Sequence, residues 1–443
     1  MSDTPLEPYA RKIDPTKRPP LKPDGTPDIN DRTEIGPTTL AFSEWAAAGL
    51  TPPNLDEMRL YRLRRVQEQL RKKDYAGILL WDPVNIRYAT DAANMQIWTS
   101  RDHTRACFIA TDGPVILFDL PACHHVLAHL PTVDEIRPVT AFYYWETGDR
   151  APEFAESFAR EIDALMRTHG GSNRRIAVDL MELEGIRAFD RLGLDIRNGQ
   201  EIIAHARVVK DVNEVRAMRC AIHTCTNAMD AMYEAMRPGI TENDMWAVLQ
   251  AENIRRGGEW IETRLLSSGP RTNPWFQECG PRVIQDGDLV GFDTDLVGPY
   301  GYCVDISRTW LCGETRASNE QRHLYGLARE MVEKNKEILW PGMTFREVVD
   351  KSYVMPEEYV PQRYSGTHHG VGLCDEYPLI LYKQDFYDFG YDGVIETGMV
   401  LSVEAYMGAV GGKNGVKLED MIVMTEQGPE WLSNYPHCTP LSG

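Results

Sequence analysis

The sequence has no long apolar run, no closely spaced pair of cysteines and no excess of positive charge. Because no stretch approaches the length of a membrane span, we expect no transmembrane helix, and the polar N-terminus lacks the apolar centre of a secretory signal. The nine cysteines are spread without a CxxC or another ligand spacing, which argues against a zinc ribbon and a disulfide framework. These absences favour a reduced, cytoplasmic setting.

Positive charge is scarce, because 47 basic residues stand against 66 acidic ones and the formal net charge is −19. A chain of this charge is poorly suited to nucleic acid or to an anionic membrane, so we expect neither partner. Its 443 residues are enough for two or three globular domains. Part of the acidic excess fits a site where bound cations offset it.

Local patterns divide the chain into three parts. Residues 1–53 are Pro-rich and polar, and they predict an extended N-terminal arm packed on a partner subunit, with a disordered tail as the alternative. Residues 54–200 alternate short apolar strands with amphipathic helices, which predicts an α/β domain. This domain carries neither a phosphate-binding Gly-rich loop nor a nucleophile elbow. Residues 201–443 form the last predicted domain.

Two similar segments of the last domain, PGITENDM and PGMTFREV, each follow a long helical pattern. In both, a threonine (Thr241 or Thr344) stands where the N-cap of the next helix is expected. The recurrence predicts an internal repeat of two helix–strand units, with chance similarity of two capping segments as the alternative.

Five short segments of the C-terminal half carry a carboxylate or a histidine in an apolar or Gly-rich context: GFDTDLV, CVDISRTW, THHGVGLCDEYP, VLSVEAY and GVKLEDMIV. Strands that bury their neighbours rarely contain an acid unless a partner compensates the charge. One such acid is best explained by a salt bridge or an edge position. Four of them (Asp293, Asp305, Glu404 and Glu419) together with a histidine suggest two divalent metal ions bridged by carboxylates.

The chain resembles the pita-bread family of methionine aminopeptidase, aminopeptidase P, prolidase and creatinase in several segments: HARVVKDVNEVRAMRCA, SSGPRTN, DISRT, the HxxGL pattern and GVKLEDMIVMTEQGPEWL. The resemblance implies an α/β N-terminal creatinase-like domain and an α+β C-terminal pita-bread domain with an internal pseudo-twofold repeat. It also implies that two metal ions are held by Asp293, Asp305, His369, Glu404 and Glu419. Since neighbours on a strand face opposite sides, His368 is not expected to be a ligand.

The chain departs from this family beside the implied ligands. Asp295 stands where the family usually has glycine, and this extra carboxylate could be a sixth metal ligand. Histidines that handle the scissile amide in the peptidases are replaced by Ser365, by Glu376 and by the segment NPWF at residues 273–276. The pattern argues against peptide hydrolysis and against a metal-free role.

Within the family, TDLVGPYGYCVDISRTW and YSGTHHGVGLCDEYP resemble the dimethylsulfoniopropionate lyases. This resemblance implies a homodimeric enzyme that cleaves a small zwitterion, dimethylsulfoniopropionate, to dimethyl sulfide and acrylate. It implies two divalent metal ions, with iron expected first and manganese, cobalt or zinc also compatible with such ligands. The alternatives are an Xaa-Pro metallopeptidase of the aminopeptidase P or prolidase type and a non-catalytic binding protein.

β-Elimination needs a base for the proton next to the substrate carboxylate, and Asp375 is the position that the resemblance suggests. Glu376 is the second candidate, and Asp375 could instead cap a turn or pair with Lys383. A sulfonium cation is attracted to aromatic faces. The candidate substrate contacts are therefore Tyr364, Trp275, Tyr302, Tyr406 and, from the first domain of the neighbouring subunit, Trp98. Each of these aromatics, taken alone, is more often a core residue.

Overall fold

The computed structural model describes residues 35–121 and 123–442, with only the backbone of His125. The chain separates into two compact units. The first contains Asn54–Arg207, and the second combines Gly36–Pro53 with Val208–Gly443. Among the described residues, no helix is both long and apolar enough to cross a membrane.

Residues 36–53 do not form the extended arm that the sequence predicts. They contain helix α1 (Thr39–Ala47) and belong to the second unit. Trp45 of this helix is completely buried and stacks on Tyr300, with 5.8 Å between the ring centroids. The predicted arm on a partner subunit is therefore corrected for these residues, because Trp45 finds its buried contact within its own chain. Residues 1–34 of the predicted arm lie outside the described residues.

The first unit is built on one mixed sheet flanked by helices. Its helices are α2 (Leu55–Lys73), α3 (Pro83–Thr90), α4 (Gln96–Thr99), α5 (His124–Leu127), α6 (Tyr144–Thr147), α7 (Ala151–Gly170), α8 (Leu183–Arg191) and α9 (Gly199–Arg207). Its strands are β1 (Gly77–Leu80), β2 (Ala106–Ala110), β3 (Val115–Asp119), β4 (Glu135–Pro138), β5 (Arg175–Val178) and β6 (Asp195–Asn198). The sheet order is β4-β3-β2-β1-β5-β6.

Both strand directions occur in this sheet. β1, β2 and β3 pair antiparallel, and β2 and β3 form a hairpin, whereas β4, β5 and β6 join in parallel. Helix α7 packs its apolar face on the sheet, where Phe158 contacts Phe118 at 5.3 Å between ring centroids. The predicted boundary at residue 200 is placed too early, because α9 continues the unit to Arg207.

The described part of the second unit combines α1 with six further helices and three antiparallel sheets. Its other helices are α10 (Val212–Ala235), α11 (Glu242–Arg255), α12 (Asn319–Glu337), α13 (Phe345–Lys351), α14 (Lys383–Phe389) and α15 (Thr439–Ser442). Its strands are β7 (Trp260–Ile261), β8 (Leu266–Ser268), β9 (Leu289–Asp293), β10 (Leu296–Val297), β11 (Cys303–Val304), β12 (Ser307–Leu311), β13 (Gly366–Val371), β14 (Asp375–Leu381), β15 (Val400–Met407), β16 (Val416–Thr425) and β17 (Gly428–Trp431). The sheet orders are β11-β10-β7, β12-β9-β8 and β14-β13-β15-β16-β17.

The two predicted helix caps are present and make matching contacts. Thr241 begins α11 and Thr344 begins α13, each in a capping box with an acidic residue three positions later. Thr241 also forms an isolated antiparallel bridge with Val283, and Thr344 forms one with Val394. These parallel contacts support the internal repeat, which stays a prediction.

Candidate metal centre

Strand pairing brings the predicted ligands to one place. Asp293 ends β9, and Asp305 lies in the short connection between β11 and β12. Glu404 on β15 and Glu419 on β16 are direct cross-strand partners, so their side chains share one face of the sheet. His369 lies on β13, which pairs with β15 along the edge opposite to β16.

The five side chains form one buried cluster. Nε2 of His369 lies 3.1 Å from Oε1 of Glu419 and 3.3 Å from Oδ2 of Asp305. Its distance to Oε1 of Glu404 is 3.7 Å. Three overlapping groups are close enough to hold a metal ion: Asp293, Asp305 and Glu419; His369, Glu404 and Glu419; and Asp305, His369 and Asp375.

Several carboxylate oxygens of the cluster accept no hydrogen bond from the described residues. They are Oδ1 of Asp293, Oδ1 of Asp305 and both carboxylate oxygens of Glu404, of which Oε2 lies 2.9 Å from Nζ of Lys417. Buried polar atoms are almost always hydrogen-bonded, so orphan acceptors around one centre call for a cation. Carboxylate and imidazole donors without a thiolate fit iron, manganese, cobalt or zinc. The residues present therefore fit a pair of divalent ions.

A buried lysine completes the cluster, and the sequence interpretation did not identify it. Lys417 is fully buried, and its Nζ lies close to three carboxylate oxygens: Oε2 of Glu419 at 2.7 Å, Oε2 of Glu404 at 2.9 Å and Oδ2 of Asp293 at 3.0 Å. It precedes Glu419 by two residues on β16, so both side chains face the same way. This spacing in GVKLED was the signal available in the sequence.

Burial and neighbouring charges shift the pKa values of the clustered carboxylates in different directions. Burial raises the pKa of Asp305 well above its usual value, and the charge of Glu419 adds to this effect. Burial also raises the pKa of Glu404 to about 8, although Lys417 opposes it. For Glu419, Lys417 and His369 outweigh burial and hold the pKa well below its usual range. Binding of cations to this cluster would therefore release protons.

Asp295 lies beside the cluster but belongs to none of the three groups formed by the described residues. Its backbone φ is +36°, in the left-handed region that favours glycine, so an aspartate there carries strain. Its Oδ2 accepts a hydrogen bond of 2.5 Å from Oγ1 of Thr263. Burial and the charges of Asp293 and Asp375 raise its pKa well above the usual value, which reflects its nearness to the other acids. Its role as a sixth ligand stays a prediction.

The two candidate bases occupy different surroundings. Oδ1 of Asp375 lies 3.7 Å from Nδ1 of His369, and 51% of the Asp375 side chain is exposed, so a small molecule can reach it. Glu376 instead pairs with Lys210, and both of these side chains are at most 5% exposed. Lys383, the alternative partner considered for Asp375, pairs with Asp350, whose Oδ1 lies 3.0 Å from the Lys383 Nζ.

Desolvation by the neighbouring protein atoms raises the pKa of Asp375, although the nearby His369 opposes this rise. The neighbouring carboxylate of Glu419 adds to it. A raised pKa makes a carboxylate a stronger base, so Asp375 suits proton abstraction better than the ion-paired Glu376.

Three of the predicted aromatic contacts lie together beside the cluster. Tyr364, Trp275 and Tyr406 pack against one another with Leu265. Nζ of Lys417 lies 4.5 Å from the ring centroid of Tyr364. Phe276 was not among the predicted contacts, yet it stacks on Tyr364 at 5.0 Å between ring centroids and is 60% exposed.

The other two predicted aromatics are not part of this group. Tyr302 is completely buried, and its hydroxyl donates a hydrogen bond of 2.8 Å to Glu214. The prediction that it contacts substrate is corrected, because no face of its ring is accessible. Trp98 belongs to the first unit, where it lies half-buried in the one-turn helix α4.

The adjacent histidines of β13 face opposite sides, as strand alternation predicts. Nε2 of His368 lies 3.1 Å from the carbonyl oxygen of Asn335, away from the cluster, whereas His369 contacts the candidate ligands. His368 is therefore a satisfied core residue.

Comparison with known proteins shows the family to which the chain belongs and the fold that it shares. The sequence pattern of metallopeptidase family M24 matches residues 216–426. The dimethylsulfoniopropionate lyase DddP of Roseovarius nubinhibens is 45% identical over 438 residues, which cover 98% of this chain and 98% of the relative. The dimethylsulfoniopropionate lyase DddP of Roseobacter denitrificans is 44% identical with the same coverage. The solved structure of an Xaa-Pro dipeptidase from Bacillus anthracis matches with a TM-score of 0.69 and 20% identity, over 86% of this chain and 98% of that chain, which shows a common fold.

We expect removal of divalent metal to lower the melting temperature and added Mn²⁺ to restore it, because the buried carboxylates repel one another without cations. A ligand at about 100 times its Kd contributes about 2.7 kcal/mol to the free energy of unfolding. Differential scanning fluorimetry of chelator-treated protein with and without Mn²⁺ measures the shift. His369→Ala is the matched control and should respond less. If the melting temperature of the unaltered protein does not change on addition of Mn²⁺, the metal centre is contradicted.

Proposed function

The chain belongs to the dimethylsulfoniopropionate lyases of the DddP family, on the fold of metallopeptidase family M24, and from this membership we infer that it cleaves dimethylsulfoniopropionate to dimethyl sulfide and acrylate. The observation that carries the inference is 45% identity to a curated lyase over 98% of both chains. The chemistry of the site agrees with it, because the half-exposed Asp375 lies beside a cluster able to bind cations.

The proposed metal ligands are the five side chains of the buried cluster: Asp293, Asp305, His369, Glu404 and Glu419. Asp295 is proposed as the sixth, because it lies near enough to feel the charges of Asp293 and Asp375. Two divalent ions are proposed, iron first, with manganese, cobalt and zinc as alternatives. When bound, they would stabilise the negative charge that develops on the substrate carboxylate during elimination. Elemental analysis of protein purified without added metal identifies them.

Asp375 is proposed as the base. Its carboxylate takes the proton from the carbon next to the substrate carboxylate, and the electron pair of that C–H bond forms the double bond of acrylate. The bond between the adjacent carbon and sulfur breaks, and dimethyl sulfide leaves with its electron pair. Because a neutral sulfide is a good leaving group, no acid has to protonate it. The exposed half of the Asp375 side chain supports this role.

Aromatic side chains are proposed to receive the sulfonium. Tyr364 and Trp275 lie together beside the carboxylates, and their ring faces attract a cation without forming an ion pair that would trap it. Burial and the charge of Glu404 raise the pKa of Tyr364 well above its usual value. Its hydroxyl therefore stays protonated and is proposed to donate to the substrate carboxylate.

The purified protein is expected to release dimethyl sulfide from dimethylsulfoniopropionate and to leave an Xaa-Pro peptide intact. The positions where the peptidases have catalytic histidines hold an exposed Ser365, the ion-paired Glu376 and the segment NPWF at residues 273–276, which leaves no imidazole to assist amide cleavage there. Gas chromatography detects the sulfide, and liquid chromatography detects peptide cleavage. Peptide turnover without release of dimethyl sulfide would contradict the proposed function and would indicate an Xaa-Pro metallopeptidase.

Asp375→Asn is expected to lower kcat by about 10²- to 10⁴-fold while the protein keeps its metal, since the variant cannot accept the proton. Glu376→Gln is the matched control. It should lower the melting temperature, because Lys210 loses its partner, with a much smaller loss of kcat. Rates of dimethyl sulfide release and metal content are measured for both variants. A larger loss of kcat in Glu376→Gln than in Asp375→Asn would contradict Asp375 as the base and assign that role to Glu376.

A homodimer in the cytoplasm is proposed, with Trp98 of one subunit close to the site of its partner. The nine free thiols support a reducing compartment. Mixed dimers of Trp98→Ala and His369→Ala are expected to recover part of the activity that each pure variant lacks, since one site per dimer would then be complete. Refolded mixtures assayed for dimethyl sulfide test this. Mixtures with no more activity than their components would place Trp98 outside the site.

A further inference from the structure

The second unit contains an open cleft that is distinct from the carboxylate cluster. Its volume is about 370 Å³, within the range of sites that bind small molecules. Helix α10 and the chain segment after β17 supply most of the residues that line it, and Leu50 lines it as well. Among the described residues, none that lines the cleft belongs to the three groups able to hold a metal ion.

One face of α10 gives the cleft a positive end and a negative end. Arg219, His223, Thr226 and Asp230 line the cleft and follow one another at intervals of four, three and four residues, which places them on one face of the helix. A helix rises about 1.5 Å per residue, so the backbone positions of Arg219 and Asp230 are separated by about 16 Å along its axis. A small molecule is too short to contact both charged ends.

The positive end offers hydrogen-bond donors to an anion. Arg219 is half-buried, and its guanidinium forms no ion pair with the described residues. Nδ1 of His223 lies 3.3 Å from Nδ2 of Asn227, which also donates to Oε2 of Glu44 at 2.9 Å. Since the amide donates, Nδ1 accepts and the imidazole hydrogen stays on Nε2. Burial lowers the pKa of His223, so the ring is neutral at neutral pH and keeps this one N–H donor.

The negative end is held in place by the segment after β17. The hydroxyl of Tyr435 donates a hydrogen bond of 2.9 Å to Oδ1 of Asp230. The carbonyl oxygen of Tyr435 accepts a hydrogen bond of 2.6 Å from Nη2 of the buried Arg308, whose guanidinium carbon lies 5.8 Å from the Tyr435 ring centroid. The carboxylate of Asp230 therefore has a fixed place, where it disfavours a second anionic group on a ligand.

Apolar side chains supply much of the remaining lining. They are Leu50, Ile222, Leu432 and Pro436, and Ile222 and Leu432 are almost completely buried. A ligand with a hydrocarbon body would cover this apolar surface and gain affinity from its removal from water. An inorganic anion would leave it uncovered.

We propose that this cleft binds a small organic monocarboxylate with an apolar body, whose carboxylate pairs with Arg219 and accepts from Nε2 of His223. A guanidinium matches the planar carboxylate through two parallel hydrogen bonds. The apolar lining contacts the body of the ligand, and Asp230 excludes a second negative charge at the far end. The proposal is independent of the lyase function and of the metal centre.

Hexanoate is the probe, titrated into the unaltered full-length protein and followed by saturation-transfer NMR. We expect a Kd of about 1 mM or below, as suits a ligand of so few atoms. Hexanamide has a body of the same length without the charge, and it should bind about tenfold more weakly or worse. Inorganic phosphate carries the charge without the body, and at equal concentration it should displace little hexanoate.

Arg219→Met removes the guanidinium and is expected to weaken hexanoate binding by about tenfold or more. Arg216→Met is the matched control on the same helix, because Arg216 bonds to Asn213 and does not line the cleft, and its affinity should stay within about twofold of the unaltered protein. Thr226→Phe fills the cleft while Arg219 stays in place, and it should also abolish binding.

The carboxylate cluster is the competing place for hexanoate, since bound metal ions also attract carboxylates. His369→Ala and chelator-treated protein, which both alter that cluster, should bind hexanoate as the unaltered protein does. Binding that is lost in them and kept in Arg219→Met would assign hexanoate to the cluster and overturn the proposal. Absence of binding, equal binding of hexanamide or full displacement by phosphate would overturn it too. None of these results depends on release of dimethyl sulfide.

Discussion

Repulsion between buried carboxylates is the constraint around which the second unit is arranged. Glu404 and Glu419 lie opposite each other on adjacent strands, where like charges normally destabilise a sheet. Burial makes this worse, because unpaired charges in a protein interior cost several kcal/mol each. His369 and Lys417 stand on the two sides of this pair and offset part of the cost. The orphan oxygens that are left are those that a metal ion would bind.

The candidate ligands stand out in the sequence because they break a local rule. An acid in an otherwise apolar strand conflicts with burial, and such conflicts concentrate at functional sites. Strand alternation is another local property, and it predicted that His369 and His368 of β13 face opposite sides of the sheet. Lys417 was not predicted, because a lysine in a strand is usually explained by an exposed edge. Only the pairing of β16 with both β15 and β17 shows that this strand lies inside the sheet.

Other features depend on contacts that no local pattern contains. Polar, Pro-rich composition predicted an extended arm, yet the burial of Trp45 depends on Tyr300, far along the chain. Tyr302 lies close to Asp305 in sequence, but its ring points into the core. The choice between Asp375 and Glu376 rests on Lys210, whose position relative to β14 follows from the tertiary fold alone. One fold also carries peptidases and lyases, so the reaction has to be argued from such side chains.

The burial of α1 constrains the order in which the chain can assemble. The chain leaves the second unit after Pro53 and returns to it at Val208, so the whole first unit is inserted between α1 and its packing partner. Trp45 and Ala41 of α1 pack on Cys220 of α10. A ribosome adds about 5–20 residues per second, so α1 waits roughly ten seconds or more before α10 has been synthesised. During that time the indole of Trp45 is an exposed apolar group on a nascent chain, and the first unit folds before the second can close.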